Sequence, residues 1–477
     1  ALFRFEDRGA PAAVVVGTTD QADRFLKAYR ARRDAPARVA GVVAVGPAPV
    51  GRLIRGAEVL GELPRLPHVL RALTARDDEA PRVILADPRP GRGLLEQVTA
   101  AASETGCQIM RARREGDGAA LAPLGAVDLL RRPPKRLDEA RARSLIQGRR
   151  VLVTGAGGTI GSELTRQVAG LNPARLILLD NSEYALYAVD MALRERGGDL
   201  DWTAELGDVR DRERLAALFE RERPDVVLHA AALKHVPLMQ THPAEAVLTN
   251  LTGAIHVAEL ACARCEALVF VSTDKAVNPS NVMGATKRLA ERAVLSLSAG
   301  APVKASVVRF GNVLGSSGSV APLFERQILE GGPVTVTHPD MTRWFMTVQE
   351  AASLVLQAGA LPAPGAADGL FVLDMGDPVR IDDLARQMIA LHGLRPDQDV
   401  AIVYTGLRPG EKLEEELFYP AEDVAPTEAE GVLCARTAAE TWADLGPRLA
   451  ELTDAARARD DARVLALLHA LEPAFRG

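Results

Sequence analysis

The stretch TGAGGTIGS, residues 154–162, decides the fold of this 477-residue chain. It follows the apolar run 151–153 and precedes a pattern of apolar residues at helical spacing. This is the strand–turn–helix context of a dinucleotide-binding fingerprint. Gly155 allows the tight turn, Gly158 lets the backbone approach the pyrophosphate, and Gly161 allows close packing of the helix. The phosphates would meet the unpaired N–H groups of a helix N-terminus.

The nucleotide is predicted to be NAD. The next strand, 176–179, ends at Asp180, about 20 residues beyond the last glycine, where a carboxylate bonds the ribose hydroxyls and repels the 2′-phosphate of NADP. Asp208 and Val209 follow another strand and would bracket the adenine, and small residues after the strand 225–228 let the dinucleotide approach. The predicted cofactor contacts are Thr154, Gly155, Gly158, Thr159, Ile160, Gly161, Asp180, Asn181, Asp208, Val209, Ala230, Ala231, Ala232, Lys234, Asn250 and Lys287.

Composition excludes several classes of protein. The net charge of −6 and the pI near 5.9 argue against a nucleic-acid surface. Four cysteines without a framework spacing indicate a reducing compartment, and Cys262 and Cys265 read as two small residues of one helix. The sequence contains no apolar run of membrane-spanning length. It begins at Ala1 without a signal-peptide pattern, so we expect the soluble part of a longer protein.

The order of elements predicts an α/β chain with two Rossmann-like domains. The first, 1–132, alternates strands at 13–16, 41–45, 82–86 and 108–111 with helices, but its first turn carries only Gly17. We therefore interpret it as a degenerate accessory domain. A basic, Pro-containing connector, 131–136, follows. The second domain, 138–477, is predicted to bind NAD and to end in helices with apolar residues at helical spacing from Trp442 onward.

The candidate chemistry lies after the strand 268–271. Thr273, Asp274 and Lys275 follow it at the carboxyl edge of the predicted sheet, where the sites of α/β proteins form. After a turn at 278–280, a helix carries Met283 and Lys287 four residues apart on one face.

These residues resemble the extended short-chain dehydrogenase/reductase superfamily, and within it the nucleotide-sugar 4,6-dehydratases of the polysaccharide-biosynthesis group. The matching stretches occur in order: TGAGGTIGSEL, HAAALKHVPLM, STDKAVNPSNVMGATKR, RFGNVLGSSGSV, THPDMTRWFM and GLRPGEK. The superfamily has Tyr-x-x-x-Lys where this chain has Met283 and Lys287. That substitution is typical of the large, membrane-linked branch, which adds an extra Rossmann-like domain. The resemblance also implies a smaller C-terminal substrate-binding subdomain within the second domain.

The resemblance implies a redox-neutral dehydration of UDP-N-acetylglucosamine for bacterial glycan assembly, including protein glycosylation. Tightly bound NAD would oxidise C4, water would be lost across C5 and C6, and the hydride would return to C6. No metal is expected. Asp274 and Lys275 would act as the acid and base of elimination. Asp274 as acid and Lys275 as base is our hypothesis, although both pKa values must then shift; the reversed assignment remains open.

Met283 cannot titrate, so the C4 hydroxyl proton must leave through Thr273, an ordered water or Asp274. Lys287 would bond the nicotinamide ribose and add positive field at the reacting carbon. By resemblance, the substrate contacts are Lys234, Asn312, Arg343, Arg408 and Glu411.

Three activities compete on the sequence. The leading one is a dehydratase that retains the C5 configuration, which the Met283 branch favours. A dehydratase that inverts C5, or a nucleotide-sugar 4-epimerase, is the alternative, although an epimerase has no elimination for Asp274 and Lys275 to catalyse. An NAD-sensing module is the third. The resemblance also implies a homo-oligomer and a parent protein anchored at the cytoplasmic face of the inner membrane.

Overall fold

A computed structural model describes residues 11–31, 37–76, 80–88, 90–115, 118–129, 135, 138–316, 318–361, 369–420, 422–436 and 440–476. Their contacts divide the chain into two units. Unit 1 takes its described residues from Ala1–Arg132, Gly318–Asp340 and Val379–Gly406, and unit 2 takes them from Pro133–Ser317, Met341–Pro378 and Leu407–Gly477. The domain limits 1–132 and 138–477 stay predictions. The segments 318–340 and 379–406, expected in the second domain, group with unit 1. Of the connector 131–136, all but Lys135 lies outside the described residues.

The elements are numbered in chain order. The strands are β1 (Ala12–Gly17), β2 (Arg38–Ala44), β3 (Leu53–Ile54), β4 (Ala57–Glu62), β5 (Arg82–Leu85), β6 (Ile109–Glu115), β7 (Gly118–Pro123), β8 (Arg150–Thr154), β9 (Arg175–Asp180), β10 (Trp202–Leu206), β11 (Val226–His229), β12 (Ala267–Val271), β13 (Lys304–Arg309), β14 (Asn312–Leu314), β15 (Val334–Val336), β16 (Thr342–Arg343), β17 (Phe345–Thr347), β18 (Gly369–Leu373), β19 (Val379–Arg380), β20 (Ile402–Tyr404), β21 (Asp423–Pro426) and β22 (Val432–Arg436).

The α-helices are α1 (Thr19–Tyr29), α2 (Leu66–Thr74), α3 (Arg92–Thr105), α4 (Glu139–Ile146), α5 (Thr159–Val168), α6 (Glu183–Arg196), α7 (Arg212–Glu222), α8 (Val236–Thr241), α9 (Pro243–Ala246), α10 (Gly253–Arg264), α11 (Val282–Ser298), α12 (Val320–Leu329), α13 (Val348–Ala360), α14 (Ile381–Leu391), α15 (Trp442–Arg457) and α16 (Asp461–Leu471). Short 3₁₀ turns lie at Leu63–Arg65, Ala126–Leu129 and Asp274–Ala276, and a π-helix at Val247–Thr252.

Unit 1 contains a seven-stranded sheet in the order β3-β4-β2-β1-β5-β6-β7. The five inner strands are parallel, and β3 and β7 are antiparallel at the two edges. The four strands predicted for this region are confirmed as β1, β2, β5 and β6. Each face of the sheet is covered by a separate apolar cluster, as a parallel sheet requires.

The hairpin β3–β4 was not predicted from the sequence. Its two-residue turn, Arg55 and Gly56, has φ values of 49° and 77°, which is the type I′ geometry that matches the twist of the strands. A signal was present in β4, where buried Ala57 and Val59 alternate with exposed Glu58 at the period of a strand.

Unit 2 contains a nine-stranded sheet in the order β10-β9-β8-β11-β12-β13-β18-β22-β21. The first seven strands are parallel, and β22 runs antiparallel to both of its neighbours. The α/β prediction with a Rossmann-like parallel sheet is confirmed. The chain winds outward from β8 in one direction and from β11 in the other. The switch point therefore lies between β8 and β11, where ligands of such sheets bind.

The predicted C-terminal helices are confirmed as α15 and α16. Leu445, Leu449 and Leu468 of these helices are fully buried in the cluster on one face of the unit 2 sheet, and Trp442 packs against it partly buried. Within the described residues one helical stretch, Pro243–Arg264, has the length and hydropathy of a membrane span. However, 67% of its apolar window is buried, as in a core helix.

A buried ion cluster lies at the end of β13. Arg309 is fully buried; its Nε donates to Glu291 Oε1 at 2.7 Å, and its Nη1 donates to Glu422 Oε2 at 2.9 Å. The hydroxyl of Ser272 also donates to Glu291, at 2.6 Å. Burial alone would raise the pKa of Glu291, but Arg309 outweighs it and the pKa is lowered. The cluster thereby holds the residue that directly precedes Thr273.

We expect Arg309→Met to lower the free energy of unfolding of unit 2 by about 3–5 kcal/mol, because two buried carboxylates lose their common cation. Tryptophan fluorescence in a urea titration would measure this, since Trp202, Trp344 and Trp442 all belong to unit 2. Arg463→Met is the matched control, because the Arg463–Glu451 pair is exposed on both sides. Equal midpoints for the two variants would contradict the prediction.

Candidate active site

The glycine loop after β8 fits close contact with a ligand. Gly155 has φ 67°, and a Cβ there would lie 2.6 Å from the backbone N of Ala231. A Cβ at Gly161 would overlap the carbonyl oxygen of Gly155. Gly158 is the N-cap of α5 and has no side chain to bond the first N–H groups of the helix. The N-terminus of α5 is therefore free of a side-chain cap and suited to an anion.

Asp180, at the end of β9, is 9% exposed and fixes this loop. Its Oδ2 accepts from the N–H of Gly157 at 2.8 Å, and its Oδ1 accepts from that of Ser182 at 2.8 Å. The amide of Asn181 donates to Asp208 at 3.4 Å, so the ends of β9 and β10 are linked. Burial alone would raise the pKa of Asp208, but its hydrogen bonds from Arg210 lower it. Asp180 thus stands where the ribose of a dinucleotide would lie, with Asp208 beside it at the end of the next strand.

Most of the predicted cofactor residues share one location, the carboxyl ends of β8 to β11 and the loops that follow them. Asn250 is an exception because it belongs to the buried π-helix. Its side chain accepts from the N–H of Leu233 at 2.7 Å and donates to the carbonyl of Leu233 at 3.0 Å. Asn250 therefore holds the loop that carries Lys234, and the structure gives it a supporting role. The set at the strand ends comprises Thr154, Gly155, Gly158, Thr159, Ile160, Gly161, Asp180, Asn181, Asp208, Val209, Ala230, Ala231, Ala232 and Lys234.

The corresponding turn of unit 1 is closed by its own side chains. Thr18 caps α1 by accepting from the N–H of Gln21 at 3.3 Å, and Gln21 accepts from the N–H of Thr18 at 2.9 Å. The amide of Gln21 also donates to Asp87, which follows β5, at 2.8 Å. A carboxylate and a completed capping box occupy the place where the helix of unit 2 has no side-chain cap.

Lys287 on α11 reaches the end of β12. Its Nζ donates to the carbonyl of Val271 at 2.6 Å and lies 4.0 Å from the centre of the Phe270 ring. Burial lowers the pKa of Lys287 to about 7, although the negative charge of Glu291 opposes the shift. Nearby His229 bonds Thr154 through Nδ1 at 2.6 Å, and burial lowers its pKa to about 3, so its ring is neutral.

Met283 lies one turn before Lys287 and is 4% exposed. Asn281 caps α11 by accepting from the N–H of Gly284 at 2.8 Å and also donates to the carbonyl of Gly410 at 3.0 Å. The start of the helix that carries Met283 is therefore tied to the loop of Arg408 and Glu411.

The turn after β12 brings together Thr273, Asp274 and Lys275, with Asn312 from β14. Asp274 is fully buried, and its Oδ1 accepts from the hydroxyl of Thr273 at 2.8 Å and from Lys275 Nζ at 3.0 Å. Lys275 Nζ donates to Asn312 Oδ1 at 3.1 Å. The other carboxylate oxygen of Asp274 is buried without a hydrogen-bond partner among the described residues. Most buried polar atoms in proteins have a hydrogen-bond partner, so this oxygen is unusual.

Lys275 is held as an ammonium ion. Burial alone would lower its pKa, but Asp274 and then Glu415 outweigh burial and the nearby Arg343, so the pKa is raised. Its amino group is therefore a proton donor in the free protein, and Asp274 is the adjacent acceptor.

The predicted substrate residues of the second half differ in their surroundings. Arg343 is buried and donates to the carbonyls of Leu413 and Lys412, at 3.0 and 2.9 Å. Arg408 is exposed, and its backbone N–H donates to Glu411 Oε2 at 3.3 Å. The structure thus uses Arg343 to fix the segment after Arg408 and leaves Arg408 itself open to solvent.

The sequence interpretation missed Glu415 and the cluster of Ser272, Glu291 and Arg309. Glu415 lies 4.0 Å from Lys275 Nζ and 3.8 Å from Arg343, and no pattern separates it from its acidic neighbours. Arg309 carried a weak signal, since an arginine is unusual at the end of an apolar strand.

Comparisons with known proteins agree with this geometry. A family model described as "Polysaccharide biosynthesis protein" matches residues 151–437. The probable polysaccharide biosynthesis protein EpsC of Bacillus subtilis is 52% identical over 295 residues, which are 61% of this chain and 49% of that protein. A UDP-N-acetylglucosamine 4,6-dehydratase (inverting) of Campylobacter jejuni is 34% identical over 272 residues, 56% of this chain and 76% of that protein.

The X-ray structure of Pen from Bacillus thuringiensis is similar, with a TM-score of 0.56 and 33% identity over 62% of this chain and 90% of that one. The chain spans about half the length of the EpsC protein that it matches. Because the family model covers more than half of the residues, the chain belongs to the polysaccharide biosynthesis protein family.

Proposed function

We propose that this protein is an NAD-dependent UDP-N-acetylglucosamine 4,6-dehydratase that retains the configuration at C5. The observation that carries the proposal is the pair Asp274–Lys275, buried at the carboxyl end of β12 and hydrogen-bonded at 3.0 Å. A donor and an acceptor side by side can remove a C5 proton and protonate a departing C6 hydroxyl. The similarity to a dehydratase of this substrate supports the reaction class.

The glycine loop fits the cofactor. The tight approach of Gly155 to Ala231 and the uncapped N-terminus of α5 suit a pyrophosphate, and Asp180 suits the ribose of NAD. When bound, the nicotinamide supplies a hydride acceptor for C4 and a hydride donor for C6. Lys287, at the end of β12, would bond the nicotinamide ribose and add positive field when it is protonated.

The charge state of the pair supports the second of the two assignments, with Asp274 as the base and Lys275 as the acid. In the free protein Lys275 holds the proton, since its pKa is raised, and Asp274 is its acceptor. Asp274 would then take the C5 proton and Lys275 would give its proton to the C6 hydroxyl, which leaves as water. The pair is then a protonated Asp274 and a neutral Lys275. When the hydride returns to C6, Asp274 would give its proton back to C5 on the face that it left, and the proton released from the C4 hydroxyl would restore Lys275.

The C4 proton needs another route, because Met283 is a buried thioether. Thr273 donates to Asp274 at 2.8 Å, so two of the candidates named from the sequence form one hydrogen-bonded pair. Their roles remain proposals, as do the contacts of the UDP group with Asn312, Arg408 and Glu411. Location at the cytoplasmic face of the inner membrane and a homo-oligomer are further proposals from the resemblance.

Incubation with UDP-N-acetylglucosamine and no added cofactor should give a product lighter by one water, measured by mass spectrometry. Its NMR spectrum should show the retained C5 configuration. Asp274→Asn and Lys275→Met should each lower kcat by at least about 100-fold, because each removes one partner of proton transfer. Both variants should keep bound NAD, detected by absorbance after denaturation. An isobaric product would indicate a 4-epimerase, an inverted C5 centre the alternative dehydratase, and an unchanged sugar a sensor.

Met283→Leu should leave kcat within a few-fold of the wild type. The two side chains have similar volumes, and such exchanges in a core usually cost less than about 1.5 kcal/mol. Steady-state kinetics would measure the effect, and a parallel denaturation curve would show that the core is intact. A large loss of kcat in a stable variant would mean that the sulfur itself takes part.

Lys287→Met should change the pH dependence of stability. The pKa of Lys287 is lowered to about 7 by burial, so between pH 7 and its unfolded value of about 10.4 the unfolded chain binds the extra proton. The wild type should therefore gain about 2 kcal/mol relative to Lys287→Met between pH 7 and pH 9. Urea titrations of both proteins at the two pH values would measure it. If the free energies of unfolding of the two proteins change in parallel with pH, the lowered pKa of Lys287 is refuted.

A further inference from the structure

Three glutamates follow one another at 414–416, and they differ in their exposure to solvent. Glu414 and Glu416 are exposed, whereas Glu415 is 8% exposed. Its Oε1 lies 4.0 Å from Lys275 Nζ and 3.8 Å from Arg343 Nη2. One carboxylate of the three is therefore directed at the proposed proton donor.

The surrounding chain, residues 408–419, forms a strap that is fixed on both sides of Glu415. The indole N–H of Trp344 donates to the carbonyl of Glu415 at 3.2 Å, and Arg343 holds the two residues before Glu414 by their carbonyls. The hydroxyl of Tyr419 donates to the carbonyl of Ala276, directly after the catalytic turn, at 2.9 Å. These bonds fix the backbone on both sides of Glu415, and none of them uses its carboxylate.

The charges around Lys275 come from three places. Asp274 faces it from its own turn, Glu415 from the strap and Arg343 from β16, and Asn312 adds a neutral acceptor. Two carboxylates and two cations therefore balance in a buried site. Without Glu415, Asp274 would be the single carboxylate acting on Lys275, against the like charge of Arg343.

We infer that Glu415 is a positioning residue of the proposed dehydration, which holds Lys275 as an ammonium ion so that Lys275 donates the proton and Asp274 accepts one. The inference rests on the proposed function for its role in catalysis, but the state of Lys275 can be measured without any substrate. In line with it, Glu415 is the second-largest charge that raises the pKa of Lys275, after Asp274.

The test compares Glu415→Gln with Glu414→Gln, a neighbouring and exposed control. Each full chain is labelled with acetic anhydride over a range of pH, and modification of Lys275 is measured by mass spectrometry relative to exposed Lys27. The reagent attacks the neutral amine, so the midpoint of the profile reports the pKa, whereas mere loosening of the strap raises only the plateau. We expect Glu415→Gln to move the midpoint down by about one pH unit, a tenfold loss of proton affinity. Glu414→Gln should match the wild type.

Glu415→Asp keeps the charge, so its labelling midpoint for Lys275 should lie close to that of the wild type. This variant also keeps the test decisive if Glu415→Gln does not fold. The alkaline limb of kcat should move with the labelling midpoint. An unchanged midpoint in a folded Glu415→Gln overturns the inference whatever the activity. A shifted midpoint in a protein that makes no dehydrated sugar would instead support the charge coupling and reject the proposed function.

Discussion

A fully buried carboxylate at the end of a parallel strand is the constraint on which the rest of the site depends. A cation and a hydroxyl are directed at one oxygen of Asp274, as a buried carboxylate requires. The backbone N–H of Asp274 also donates to the carbonyl of Phe310 at 3.0 Å, so β12 and β13 fix the turn together. The ion cluster of Arg309 holds Ser272, the residue directly before this turn. The buried charges that stabilise this region therefore lie directly beside those proposed for the chemistry.

The turn after the first strand of the sheet differs between the two units in how well it suits an anion. In unit 2 the helix after the first strand begins at a glycine and leaves its N–H groups uncapped. In unit 1 the same place has a capping box, and Gln21 links it to the carboxylate of Asp87. The central strands of both sheets are parallel and similar in their order. The two turns thus differ in their capping chemistry, and the accessory role of the first domain stays a prediction.

The parallel strands, their helices and the location of the glycine loop followed from the sequence, because burial on both faces gives apolar runs and the loop has few solutions. What the sequence could not show depends on distant residues. Glu415 is one of three adjacent glutamates, and only the fold of the strap selects it. Arg343 fitted a phosphate contact by type, yet its guanidinium bonds the strap because the carbonyls of 412 and 413 lie within reach. The grouping of 318–340 and 379–406 with unit 1 also depends on long-range contacts.

The strap joins the residues proposed to bind uridine to the carboxylate beside the proposed proton donor. Arg408 and Glu411, the proposed uridine contacts, lie at its start, and Glu415 lies four residues later beside Lys275. Gly410 between them accepts from Ser280 and Asn281, at the start of the helix that carries Met283 and Lys287. A ligand bound by Arg408 and Glu411 would therefore lie at the start of the same segment that carries the Glu415 carboxylate beside Lys275. Because a buried ammonium ion is costly without its partners, the donor would be ready only when the strap is in place.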